Sequence, residues 1–165
     1  MKLYHYLPKE VPPLRDGILS LSLLPAEMAK YSQRIGSDDP KRIRDWLEQT
    51  FPGRCRAVPV LTEPVRWQGN DPMLQEWLAH KTLVEIDLDA LLADHLIESI
   101  WCKDGSDTDG THEEIGRILA DEIDFSPLPW HLCSQEKKMF FGVIRHYFLV
   151  MKNGVIPPKY IKKIR

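Results

Sequence analysis

Hydrophobic residues recur along this chain at two spacings, which predict an alternation of helices and strands. The helical spacing is clearest after Asp39 and Pro40, a pair typical of a helix start because aspartate caps the first turn and proline fits its first position. The inward face of this helix is predicted from residues at helical offsets, namely Ile43, Trp46, Leu47 and Phe51.

Two further helices are predicted from the same kind of pattern. One begins at the pair Asp71-Pro72, and its inward face is predicted to carry Leu74, Trp77 and Leu78. The other lies in THEEIGRILADEI, where a threonine and the glutamate three residues later form a capping box ahead of a helically spaced hydrophobic set.

A long hydrophobic segment follows Ser134 and admits two interpretations. Its aromatic and β-branched residues and the later Asn-Gly pair resemble a β-hairpin. Strict alternation is absent, however, and the hydrophobic residues fill one broad arc of a helical wheel. We therefore predict a long apolar helix near residues 134–152, ended by Gly154.

Strands are predicted where short β-branched and aliphatic runs lie between turn signals. In LVEIDLD, for example, hydrophobic and acidic residues alternate as a half-buried strand requires. The predicted strands are Lys2 to Leu7, Ile18 to Leu23, Arg56 to Leu61, Leu83 to Leu88 and Ile97 to Trp101. With about four helices, they predict an α+β fold with a small mixed or antiparallel sheet, in a single domain of residues 1–165.

The composition is typical of a globular protein, with 43% hydrophobic and 28% charged residues. The balance of 22 basic and 24 acidic side chains provides no broad attraction for a phosphate backbone, so dedicated nucleic-acid binding is not predicted. The chain has no apolar secretory signal at its start and no run long enough to span a bilayer. These features predict a cytoplasmic protein without a membrane partner.

Short chemical motifs are scarce. The three cysteines are widely separated, and the six histidines form no close pair, so neither a disulfide framework nor a metal site is predicted. No glycine-rich phosphate loop is present. A thiol nucleophile at Cys133 beside His131 is a weaker alternative, because catalytic partners meet through folding rather than through sequence proximity.

One candidate site begins in the first predicted strand, where His5 lies between Tyr4 and Tyr6. The strand is followed by DGILSLS, which contains Ser20 and Ser22. This opening, with the later segments RCRAVPVLTEP and LVEIDLDAL, resembles the ADP-ribosyltransferase-like superfamily over about half the chain. The alternative interpretation of His5 is a structural imidazole at a sheet edge.

The resemblance implies an enzyme that uses NAD as a substrate, of the toxin or effector type. It implies that His5 binds the NAD ribose and that the nicotinamide pocket involves a serine, with Ser20 and Ser22 as candidates. A glutamate on a late strand would stabilise the positive charge that develops on the ribose. Glu136 is the prediction for this catalytic role, with Glu63 and Glu85 as the alternatives. The remaining candidates for NAD binding are Tyr4 and Tyr6, which flank the histidine, and Arg54 and Arg56, which are suited to the pyrophosphate.

A non-enzymatic protein is the second hypothesis, an immunity or adaptor protein that binds a protein partner. Tryptophans often anchor such interfaces. Trp67 and Trp130 lie in predicted loops and are the candidate anchors, whereas Trp46 and Trp77 are assigned to the core by their helical phase.

Overall fold

The computed structural model describes residues 1–64, 72–103, 125–129 and 147–165, without the side chains of Met73, Leu74 and Lys103. Within these residues the fold is α+β with antiparallel sheets, as predicted. The predicted helix in THEEIGRILADEI lies outside the described residues.

Nine strands are present in the described part of the chain. Four of the five predicted strands are found within a few residues of their predicted bounds. The strands are β1 (Lys2–Pro8), β2 (Ile18–Leu19), β3 (Ala57–Val60), β4 (Lys81–Asp87), β5 (Ile97–Lys103), β6 (Phe125–Pro127), β7 (Tyr147–Met151), β8 (Val155–Ile156) and β9 (Ile161–Lys163).

Short helices connect these strands. The helices that the structure describes are α1 (Pro13–Asp16), α2 (Pro25–Ala29), α3 (Ser32–Ile35), α4 (Pro40–Thr50), α5 (Pro72–Ala79) and α6 (Leu88–Ala93). The predicted start of α4 is confirmed, because the Asp39 carboxylate accepts a hydrogen bond of 3.0 Å from the Lys41 amide. Single 3₁₀ turns form at Leu21–Leu23, Arg54–Arg56 and Pro158–Tyr160.

The sheet consists of two halves with one junction between them. One half has the strand order β1-β4-β9, and the other has the order β3-β7-β5-β6. Among the described residues one bridge joins them, in which the Tyr4 amide donates to the Leu61 carbonyl and the Leu61 amide donates to the Tyr4 carbonyl, both at 2.8 Å. Strands β2 and β8 form a separate two-stranded sheet.

The largest hydrophobic cluster takes residues from both halves and from β2 and β8. Its fully buried members include Leu3, Val58, Ile86 and Leu149. A second cluster forms beneath α2 and α4, around Leu47. The core therefore stabilises the two halves of the sheet together, although in the described part of the chain one pair of residues connects their main chains.

The long helix predicted near residues 134–152 is wrong over residues 147–151, because Tyr147–Met151 is strand β7. All five residues are buried, since β7 lies between β3 and β5 inside the sheet and both of its faces are covered. A strand that is buried on both faces shows no alternation of hydrophobic and polar residues. The absence of alternation was therefore no reason to reject a strand here. The rest of the predicted segment lies outside the described residues.

Two smaller predictions also need correction. Trp77 was assigned to the core but is 39% exposed, because α5 is a surface helix beside β4. The predicted strand from Ile18 to Leu23 ends at Leu19, and a 3₁₀ turn follows at Leu21–Leu23.

Gly17 joins α1 to β2 and provides a test of this packing. Its φ of 78° and ψ of −165° form a combination that is open essentially to glycine alone. A Cβ atom at this position would lie 2.2 Å from the Ile156 carbonyl oxygen in β8. We expect Gly17→Ala to lower the free energy of unfolding by about 3 kcal/mol, measured by urea denaturation.

Gly36→Ala is the matched control. Gly36 also has a positive φ, 68°, but a Cβ there would meet nothing within 4 Å. We expect a loss of only about 1 kcal/mol from the left-handed backbone. Equal losses in the two variants would contradict the role assigned to the close approach between Gly17 and β8.

Candidate functional site

His5 lies in the middle of β1, one residue beyond the junction of the two sheet halves. Side chains alternate along a strand, so His5 shares its face with Leu3 and Leu7, both of which are buried. The imidazole itself is half-buried. The ring therefore lies beside the hydrophobic core without being sealed inside it.

The tautomer of His5 follows from the hydrogen bond between its ring and Pro59. Nδ1 lies 2.6 Å from the carbonyl oxygen of Pro59 in β3. A carbonyl only accepts, so Nδ1 must carry the hydrogen and donate it. Nε2 then carries a lone pair and can accept a hydrogen bond. No partner for Nε2 is present in the described part of the chain.

His5 is neutral at physiological pH. Its pKa is lowered from 6.5 to about 4, chiefly because burial disfavours the charged ring. The hydrogen bond to Pro59 acts in the opposite direction, and the positive charge of Lys81 lowers the pKa slightly further. The ring is therefore suited to accept a hydrogen bond from a neutral donor.

Tyr4 and Tyr6 lie on the opposite face of β1 from His5. Glu85 shares that opposite face, because it is the register partner of Tyr4 in β4. Tyr6 contacts Trp77, with ring centroids 5.4 Å apart. The structure therefore separates both tyrosines, and one of the three candidate glutamates, from the imidazole.

Ser20 and Ser22 are brought together, but at a different place. Their hydroxyl oxygens lie 2.7 Å apart, and the Ser20 amide donates to the Gly154 carbonyl at 2.9 Å. A Cβ atom on Gly154 would lie within 2.8 Å of both hydroxyl oxygens. The serine pair therefore packs against the turn between β7 and β8.

Arg54 and Arg56 hold the 3₁₀ turn that precedes β3 against the sheet. Arg54 is only 5% exposed, and its guanidinium carbon lies 4.9 Å from the centre of the Phe148 ring. Arg56 forms an ion pair of 2.5 Å with Glu98 and donates to the Met151 carbonyl at 3.4 Å. Arg56 thus contacts the end of β7, and neither arginine hydrogen-bonds to His5.

A surface hollow of about 290 Å³ lies beside helices α2 and α3. Its lining consists of Leu21, Glu27, Lys30, Tyr31 and Arg34. Glu27 and Lys30 form an ion pair of 2.8 Å, and the Arg34 guanidinium lies 6.0 Å from the centre of the Tyr31 ring. None of the predicted site residues lines this hollow.

The predicted catalytic carboxylate cannot be placed beside His5 from its own geometry, because only its alternatives Glu63 and Glu85 are among the described residues. Glu136, the predicted residue, lies outside them, as do Cys133 and His131. Glu63 lies two residues beyond the junction residue Leu61. No described group of three or more histidine, cysteine, aspartate or glutamate residues is arranged to hold a metal ion.

Comparison with protein-family models matched no family, and the searches of curated proteins and of solved structures gave no match. No helix among the described residues is long and apolar enough to cross a membrane. The candidate site therefore stands on its own geometry.

Sequence reasoning did not include Pro59 in the site. The signal was present, because a proline inside a predicted strand marks a place where the hydrogen-bond ladder is interrupted. Which side chain would meet the Pro59 carbonyl depends on how β1 and β3 are brought together. Only the tertiary structure shows how these two strands lie against each other.

The lowered pKa of His5 predicts a pH dependence of stability. Between pH 6.5 and about 4, the unfolded chain binds a proton at His5 and the folded protein does not. The free energy of unfolding is therefore expected to fall as the pH falls through this window. The expected loss is about 1–3 kcal/mol, because a half-buried ring is partly screened by solvent. Urea denaturation across the window measures it.

His5→Asn is the comparison for this experiment, since asparagine keeps an N–H donor for the Pro59 carbonyl and does not titrate. The other titrating groups are common to both proteins. We therefore assign the difference in pH dependence to the imidazole. The same pH dependence in both proteins would show that the His5 pKa is not lowered in the folded state.

Proposed function

We propose that this protein binds NAD beside the junction of the two sheet halves and acts as an ADP-ribosyltransferase-like enzyme. The observation that carries the proposal is the neutral His5 imidazole, held by Pro59 with its Nε2 acceptor free of partners among the described residues. A ribose hydroxyl is the donor that this nitrogen suits. The resemblance of the first strand to that superfamily supports the same role.

The proposed ligand fits the described residues in part. His5 would orient the ribose, and the hydrophobic face that it shares with Leu3 and Leu7 would exclude water from one side. Arg54 and Arg56 are engaged in contacts within the fold, and Tyr4 and Tyr6 belong to the opposite face. These four residues are therefore not included in the NAD site that we now propose.

In the proposed reaction the bond between ribose and nicotinamide breaks, and nicotinamide leaves as a neutral molecule with the bonding electron pair. A nucleophilic side chain of the target, or water, then forms a bond to the ribose carbon and loses a proton to solvent. A carboxylate stabilises the positive charge that develops on the ribose. Glu136 remains our proposal for this carboxylate. Glu63 is the alternative, because it follows the junction residue Leu61 closely in the chain. Glu85 is not a candidate for this carboxylate, because it lies on the face of the sheet opposite His5.

Thermal-shift titration with NAD tests the binding step. Ligand at about 100 times its dissociation constant adds about 2.7 kcal/mol to stability, which is expected to raise the melting temperature by about 5 °C or more. We expect His5→Ala to abolish this shift. His80→Ala is the matched control, because His80 is exposed at the end of α5, and the shift should persist.

Incubation with labelled NAD tests the transfer step. Wild-type protein is expected to release nicotinamide, whereas Glu136→Ala should retain the NAD-induced thermal shift and lose this release. Loss of release in Glu63→Ala alone would assign the carboxylate to Glu63. The absence of any thermal shift at millimolar NAD would refute the proposal.

A second candidate function is binding of a protein partner through the other face of β1. The observation that favours it is a group of three side chains, Tyr6, Trp77 and Lys81. The Trp77 ring is 39% exposed, and the Lys81 ammonium lies 5.1 Å from the centre of that ring. Tryptophan and tyrosine are enriched at the centres of protein interfaces. An immunity or adaptor protein would use such a surface.

Capture of a partner from the native host tests this second function. We expect Trp77→Ala to weaken the complex by about 30-fold or more, since a central interface tryptophan commonly contributes about 2 kcal/mol or more. Leu14→Ala is the control, because Leu14 is 56% exposed on a separate element. Equal binding by both variants would contradict an interface at Trp77.

A further inference from the structure

The main-chain pairing between β1 and β3 stops after one pair, and the position of Pro59 explains why. Tyr4 and Leu61 exchange two hydrogen bonds. In an antiparallel ladder, the next pair of this kind is two residues away on each strand, and here it would unite Tyr6 with residue 59. Proline has no N–H to donate at that position. The ladder therefore lacks one of the two hydrogen bonds needed for its next step.

The Pro59 carbonyl is left facing β1, and the His5 ring reaches it. The N–H and carbonyl groups of one residue lie on the same side of a strand, and residues 61 and 59 direct them toward the same neighbour. The carbonyl accepts from His5 Nδ1 at 2.6 Å. The imidazole N–H thus provides this carbonyl with a donor, as a main-chain amide would in a continued ladder.

We infer that Pro59 is the positioning residue of the site, because it reserves its carbonyl for His5 Nδ1–H and thereby presents Nε2 as an acceptor toward the ligand. The inference rests on the proposed function for the identity of that ligand. It also narrows the chemical class, since a neutral acceptor nitrogen selects a group that donates a hydrogen bond, such as a ribose hydroxyl. An anionic group such as phosphate would meet the Nε2 lone pair unfavourably.

If Pro59 affected only the stability of the strand, its substitution would not change which ring nitrogen of His5 carries the hydrogen. The decisive measurement is therefore nitrogen-15 NMR of the histidine side chains, which distinguishes the Nδ1–H tautomer from the Nε2–H tautomer. In wild-type protein near pH 7 we expect His5 to be the Nδ1–H tautomer. Observation of the Nε2–H tautomer in wild-type protein would overturn the inference.

Pro59→Val restores the missing N–H with a residue that suits a strand. We expect the ladder to extend and residue 59 to gain protection from amide exchange, while the Nδ1–H form of His5 loses its dominance. Pro59→Ala is the smaller second variant and should shift the tautomer in the same direction. Pro127→Ala is the matched control, because Pro127 lies in β6, at the far edge of the other sheet half. An unchanged tautomer in both Pro59 variants would overturn the inference.

NAD titration of the same proteins separates this inference from the proposed function. We expect Pro59→Val to weaken NAD binding about tenfold, the effect of one lost hydrogen bond, and Pro127→Ala to leave it unchanged. A tautomer change without loss of affinity would overturn the role of Nε2 in ligand binding. If the wild-type protein binds no NAD, the proposed function is refuted. If the His5 tautomer nevertheless changes in the Pro59 variants, the positioning role of Pro59 is supported.

Discussion

Two hydrogen bonds between Tyr4 and Leu61 connect the main chains of the two sheet halves where the structure describes them, and the candidate site depends on how that connection ends. A polar group buried without a partner costs about 1–3 kcal/mol, so the carbonyl beyond the junction needs a donor. His5 supplies it at Pro59. The same contact that satisfies the interrupted ladder also determines the orientation and tautomer of the imidazole.

Burial determines what the charged residues of the fold can do. The Arg54 guanidinium stacks on Phe148, and Arg56 joins β5 and β7 through Glu98 and the Met151 carbonyl. Arg54 is almost fully buried, so removal of the ring that it contacts would leave a desolvated charge, whereas the Arg56–Glu98 pair is partly exposed and contributes less. These arginines therefore stabilise the turn before β3. His5 is different, because its burial removes its charge and leaves a neutral acceptor.

Local signals identified much of the secondary structure. The Asp39-Pro40 start of α4 was recognisable because its capping interaction involves residues only two apart. Strand β4 was recognisable because one of its faces is more solvated than the other, which produces alternation. Strand β7 has no such signal, because its neighbours bury both of its faces. The prediction that Trp77 lies in the core was wrong, because helical phase indicates which residues share a face but not whether another element covers that face.

The sequence by itself determined the α+β class, the first strand and the presence of a histidine and a proline within strands, because these depend on neighbouring residues. Tertiary structure decided which residues meet. It separated Tyr4 and Tyr6 from His5, gathered Ser20 and Ser22 at the turn after β7, and united His5 with Pro59 across 54 positions. Strand pairing and register create such contacts, and no local pattern encodes the register between two distant strands.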